Sequence, residues 1–168
     1  MKKFTSNFLS KFLLFIVMLL SLGACATTLQ IEKALDAETK KQLQIIDVSV
    51  SAAHSIASIT SDNLLYYLKN AVLSKINSSI AQGIPAVMEI VVTKSRIVTR
   101  GRRALIGAFA GANVLDITAT IKDMKTKDIL GIYEVKGSYN PGGWGVFSNP
   151  IESTTSSVAE ELVKGIYQ

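Results

Sequence analysis

One histidine and one cysteine stand in this 168-residue chain, and their surroundings bound the chemistry it can do. His54 lies in SVSAAHSIASIT, in a stretch that reads as a loop after a strand. A hydrolase of the Ser-His-acid kind would need His54, a serine and a carboxylate brought together by the fold. No nucleophile-elbow motif marks such a serine. No cluster of His, Cys, Asp and Glu has metal-ligand spacing. The acidic pair Glu160-Glu161 falls late in a helical stretch, where a solvated face accounts for it. Gly101, Gly107 and Gly111 form neither a phosphate loop nor a dinucleotide fingerprint. Gly107-Ala-Phe-Ala-Gly111 matches G-x-x-x-G, but the apolar span of ~20 residues in which that pattern pairs helices is missing. The inventory predicts a non-enzymatic protein with no cofactor and no metal; an envelope hydrolase using His54 is the alternative from a different class.

Two other stretches carry surface chemistry. In TRGRRALIGAFAGANVLD, Arg100, Arg102 and Arg103 precede nine residues, Ala104 to Ala112, without a strongly polar side chain. The run connects two strands, and connections travel over the surface. Exposed, Leu105, Ile106 and Phe109 would be a partner or membrane contact, with the arginines meeting lipid phosphates or an acidic surface. The competing reading folds the three apolar side chains onto the core and leaves the arginines in water. In YNPGGWGVF, Trp144 and Phe147 stand among glycines, as a recognition loop or as a cap on the core.

The cysteine belongs to the start of the chain. Lys2, Lys3 and Lys11 form a basic leader, Phe12 to Leu20 is unbroken apolar, and Ser21-Leu22-Gly23-Ala24 is a small-residue exit. That order is a secretory signal peptide, far short of the ~20 apolar residues a spanning helix needs. Leu22-Gly23-Ala24-Cys25 resembles the lipobox of bacterial lipoproteins. The resemblance implies cleavage before Cys25, a diacylglycerol on its thiol and an acyl group on its new amine. Two or three chains anchor stably where one does not. The residue after the cysteine is Ala26 rather than Asp, which in that family implies the periplasmic side of the outer membrane. With no second cysteine there is no disulfide.

Composition agrees with one domain. Residues 1–24 hold three of the 18 basic residues and none of the 13 acids, so the formal charge of +5 falls to +2 without them. Net charge therefore gives little reason to expect a nucleic-acid partner. Residues 25–43 read as a polar tether that can carry a short helix over Ile31–Leu43, and 44–168 as a single domain.

Within it, Ile46, Val48 and Val50 alternate with polar residues as a first strand. Thr60 to Gln82 places Leu65, Leu68, Val72, Ile76 and Ile80 on one helical face, opened by Thr60, Ser61 or Asp62 and stopped by Gly83 and Pro85. Met88, Ile90 and Val92 make a second strand, bent or bulged near Lys94 to Arg96. Leu115, Ile117, Ala119 and Ile121 make the third, and Ile129 to Lys136 the fourth. Asn149-Pro150 opens a last helix whose inward face is Ile151, Val158, Leu162 and Ile166.

The order β-α-β-β-β-α predicts an α+β fold: an antiparallel sheet of about four strands with two amphipathic helices packed on one face. This order is similar to that of small periplasmic domains in curli-secretion and peptidoglycan-synthase-activator lipoproteins, and in envelope lipoproteins known only as domains of unknown function. The resemblance implies a membrane-anchored protein acting through an envelope protein partner in assembly or maintenance. A subunit of an envelope pore or secretion complex is the alternative within binding.

Overall fold

The computed structural model describes residues 27–76, 83–140 and 149–168. The signal sequence, Cys25, Ile80, Trp144 and Phe147 lie outside the described residues. The elements are β1 (Thr28–Lys33), α1 (Ala37–Gln42), β2 (Leu43–Ala52), α2 (Asp62–Lys75), β3 (Ile84–Arg96), α3 (Arg100–Ile106), β4 (Asn113–Asp123), β5 (Ile129–Tyr139) and α4 (Pro150–Tyr167). Single 3-10 turns at His54–Ile56 and Gly107–Ala110 complete them. The fold is α+β, as the element order predicts.

Five strands form one sheet in the order β1-β5-β4-β3-β2. Two features differ from expectation. The sheet is mixed, because β2 and β3 pair in parallel. Helix α2 lies between them in sequence, and a helix that crosses over between neighbouring strands returns the chain in the same direction. The fifth strand comes from the segment expected as a tether: Thr28–Lys33 pairs antiparallel with β5, from Thr28 opposite Lys136 to Lys33 opposite Ile132. Its side chains are largely exposed, so no buried stripe marks it as a strand. After it, Asp36 accepts from the Thr39 amide at 2.8 Å and opens α1.

Alternation decides the inner face of the sheet. Leu115, Ile117, Ala119 and Ile121 of β4 are buried, as are Ala86, Met88, Ile90 and Val92 of β3. They meet Leu64, Leu68 and Val72 of α2 and Val158, Leu162 and Ile166 of α4. Each such Val, Leu, Ile or Met side chain fully withdrawn from water contributes about 1.5–3 kcal/mol. Leu64 joins the α2 stripe, whereas Leu65 and Ile76 lie at its half-buried margin. Strand β2, expected as the first strand, departs from simple alternation. A register shift between Ile45 and Asp47 turns Ile46 outward, 46% exposed, and leaves Leu43 and Val48 as the buried residues. The bulge expected in β3 lies between Val92 and Lys94.

Helix ends follow local chemistry. Ser61 accepts from the Leu64 amide at 3.3 Å to begin α2. Asn149 accepts from the Ile151 amide at 3.2 Å, with Pro150 in the first turn of α4 where its missing N–H costs nothing. Among the described residues, no helix is long and apolar enough to cross a membrane.

Candidate interaction surface

The run from Arg100 to Ala112 forms a knob at one end of the sheet, where β3 ends and β4 begins. Thr99 accepts from the Arg102 amide at 3.3 Å and starts α3. The helix lasts seven residues and stops at Gly107, whose φ of +56° and ψ of −132° suit glycine alone. The 3-10 turn Gly107–Ala110 follows, and Gly111 at φ +85° turns the chain into β4. The two glycines of the G-x-x-x-G match are therefore corners of a loop and not a helix-pairing face.

This geometry settles which side chains meet water. Leu105 is 86% exposed and Phe109 94%, with Ile106 partly exposed beside them. Neither large side chain folds back onto the core. Arg100 and Arg102 are exposed as well. At the same end Ile59 is 71% exposed, next to Thr60, whose hydroxyl oxygen lies 3.4 Å from that of Ser95 in β3. A cleft of about 260 Å³ lies between Arg96 and Arg102 and is lined by Ile97, Val98, Thr99 and Ala110.

Arg103 corrects the reading of a solvated arginine cluster, for it is only 1% exposed. Its side chain enters the protein, while those of Arg100 and Arg102 stay in water. One guanidinium nitrogen donates to Asn113 Oδ1 at 3.0 Å and another approaches Asn140 Oδ1 at 3.4 Å, while Nε has no partner among the described residues. Burial holds its pKa below the ordinary arginine value, against a smaller opposing influence of Tyr139. It stays cationic at neutral pH.

Asn113, fully buried at the head of β4, is the hub of this end. Its Oδ1 accepts from Arg103 and also from the Val98 amide at 2.9 Å. Its Nδ2 donates to the Pro150 carbonyl at 3.3 Å and the Thr154 hydroxyl at 2.9 Å. One amide thus ties α3, the end of β3, β4 and the first turn of α4 together. Sequence reasoning missed it, since a single Asn at a strand start carries no pattern.

His54 stands exposed on its 3-10 turn, and its imidazole makes no hydrogen bond or ion pair among the described residues. No group of three metal-ligating side chains comes together among the described residues. A larger open cleft, about 490 Å³, lies between α2 and α4 against Tyr66, Tyr67, Asn70, Ser74 and Glu152. None of the residues singled out in the sequence lines it.

A family model described as a domain of unknown function, DUF4410, matches residues 49–143, more than half of the chain. The match includes the knob and Asn113. Among solved structures, the PelC dodecamer from Paraburkholderia phytofirmans aligns at 11% identity with a TM-score of 0.54, covering 85% of this chain and 99% of that one. At that identity the likeness is one of fold. A DUF330-family protein from Xanthomonas campestris aligns at 13% identity and TM-score 0.47, covering 80% and 89%. A candidate lipoprotein from Caulobacter crescentus CB15 aligns at 11% and 0.42, covering 78% and 94%. No curated protein matches the chain.

Proposed function

The chain belongs to the DUF4410 family, whose function is unknown, and we propose that it is a periplasm-facing outer-membrane lipoprotein that works by binding rather than catalysis. Its role is in assembly or maintenance of the envelope, through contacts with an envelope protein. Cys25 carries the lipid, and the domain that begins at Thr28 is held close to the membrane by it.

The observation that carries this reading is the knob. A domain gains nothing in water from presenting Leu105 and Phe109 at 86% and 94% exposure. It also holds the element that bears them with a buried arginine and a buried asparagine. Apolar side chains fixed in that way suit contact with another surface. Among the described residues His54 is exposed and has no side-chain partner, so no acid there orients it as a triad requires.

The edges of the sheet, unpaired among the described residues, favour a second reading, a subunit of a ring. The edge strands β1 and β2 run in opposite directions by the pairing order, so β1 of one copy could pair antiparallel with β2 of the next. Such a contact is head-to-tail and closes into a ring or extends as a filament. PelC, of similar fold, is a dodecamer. Light scattering in detergent separates the two, because a monomer at all concentrations excludes the ring.

Crosslinking in intact cells, with purification beside Cys25→Ser and His54→Ala, tests the main reading. A discrete set of envelope proteins should be captured, lost in Cys25→Ser and kept in His54→Ala. Mass spectrometry should find acyl chains on Cys25. An unmodified Cys25 would remove the anchor, and loss of function in His54→Ala at normal protein level would restore the hydrolase.

A further inference from the structure

We propose that the knob is a bilayer-docking element, with Leu105 and Phe109 entering the boundary between headgroups and acyl chains and Arg102 and Arg96 facing lipid phosphates. The proposal deepens the reading of the knob as a contact surface by naming a phospholipid membrane as its partner.

Charge is the first argument. From Ile90 to Leu115 the chain carries no Asp or Glu, but has Lys94, Arg96, Arg100, Arg102 and Arg103. Arg96 and Arg102 flank a cleft beside the knob, and the buried Arg103 adds a cation at its base. Of the acids near this end, Asp62 and Glu152 sit in the first turns of α2 and α4, in the helix layer, and Asp116 lies three residues past Asn113 in β4, opposite Lys94 and Lys136. Large apolar side chains on an element that also carries cations suit an anionic membrane surface, which attracts the charges while its interior takes up the apolar groups.

Chain direction is the second argument. β1 runs antiparallel to β5, and its first residue, Thr28, pairs with Lys136. β5 ends at Tyr139, opposite Asn113 at the foot of the knob. Traced backwards, β1 therefore heads toward the knob end. Thr28 stops three residues short of that level, ~10 Å at strand rise, and is displaced sideways by the two strand spacings from β1 to β4, again ~10 Å. Cys25 lies three residues before Thr28 and can be no more than ~11 Å from it. A lipid on Cys25 thus holds to the bilayer the same end of the domain that carries Leu105 and Phe109. Anchor and knob together fix the domain's orientation, where an anchor alone leaves it free to tumble.

The experiment supplies the tether chemically, so that it does not depend on lipidation in the cell. The chain from Cys25 onward holds every described element and has a single thiol, which is coupled to a maleimide-bearing lipid in vesicles. Hydrogen exchange of residues 100–112 is then compared with the untethered chain. On vesicles rich in phosphatidylglycerol the knob amides should slow at least ~10-fold, the scale expected for burying one large apolar side chain. Leu105→Asp with Phe109→Asp should abolish the slowing, and both positions are exposed enough for the fold to survive, which circular dichroism checks. Arg102→Gln should weaken it ~5-fold on these vesicles and not on purely zwitterionic ones. Equal exchange with and without the membrane would overturn the proposal. So would slowing that requires an added envelope protein, which would assign the knob to a protein partner.

Discussion

Replacing Asn113 by alanine removes the hub without touching the exposed surface. Two losses dominate. The Val98 amide, 2.9 Å from Oδ1, is left buried with no acceptor, at a cost of ~1–3 kcal/mol. Arg103 loses its 3.0 Å bond, and a hydrogen bond to a charged group contributes ~1.5–3 kcal/mol. The Pro150 carbonyl keeps a donor, because the Thr154 hydroxyl bonds it at 2.7 Å, so that end adds little. The expected sum is about 3–5 kcal/mol, a large part of the ~5–15 kcal/mol that holds a domain folded. Urea unfolding followed by circular dichroism should show it, and a thermal melt should show a fall in Tm of roughly 10 °C. A companion variant sharpens the test. Arg103→Met replaces a buried cation by an apolar side chain of similar length and so removes the charge that Asn113 serves. In that background Asn113→Ala should cost less by the arginine's share, ~1.5–3 kcal/mol. A cost for Asn113→Ala under ~1 kcal/mol, or one unchanged by Arg103→Met, would refute the reasoning that this amide ties the knob to the core.

Two further outcomes follow from packing and from charge. A Cβ built on Gly137 would collide with Val158 Cγ2 and stand 2.9 Å from the Leu115 carbonyl oxygen, so Gly137→Ala should cost ~1–3 kcal/mol in the same unfolding assay; a change within ~0.5 kcal/mol would mean that α4 moves off the sheet freely. Asp123 Oδ1 accepts from the Thr126 and Lys125 amides, which hold its pKa below the ordinary 3.8. A depressed carboxylate stabilises the fold above its unfolded pKa and loses that effect as pH falls through the folded value. The Lys125 and Thr126 amide resonances should therefore keep their turn positions at pH 5 and lose them only below about 3.8; movement already at pH 5 would mean that the carboxylate does not hold the turn.

Much of the architecture could be read from pattern alone. Period-two alternation in Leu115–Ile121 and period-three-to-four spacing in Leu68–Val72 and Val158–Ile166 reflect one fact, that a single face of each element meets the core. Helix starts were legible because Ser61 and Asn149 are side chains that accept from the first turn. β1 was not legible: an edge strand with exposed side chains is held by backbone pairing to Lys136–Ile132, which leaves no trace in side-chain type. The parallel pairing of β2 depended on which strand lay beside it, and the outward turn of Ile46 on a one-residue shift against Ala86 and Val87.

The candidate surface divides in the same way. Sequence by itself placed an acid-free, cationic, apolar run between two strands, and a lipobox-like cysteine at the start. It left open whether that run packs inward. Only the tertiary structure decided that Leu105 and Phe109 face water while Arg103 turns in to meet Asn113, because exposure depends on the glycine corners at 107 and 111 and on a buried acceptor ten residues downstream. Residue type sets what a side chain costs to bury, but its neighbours in space settle whether it is buried.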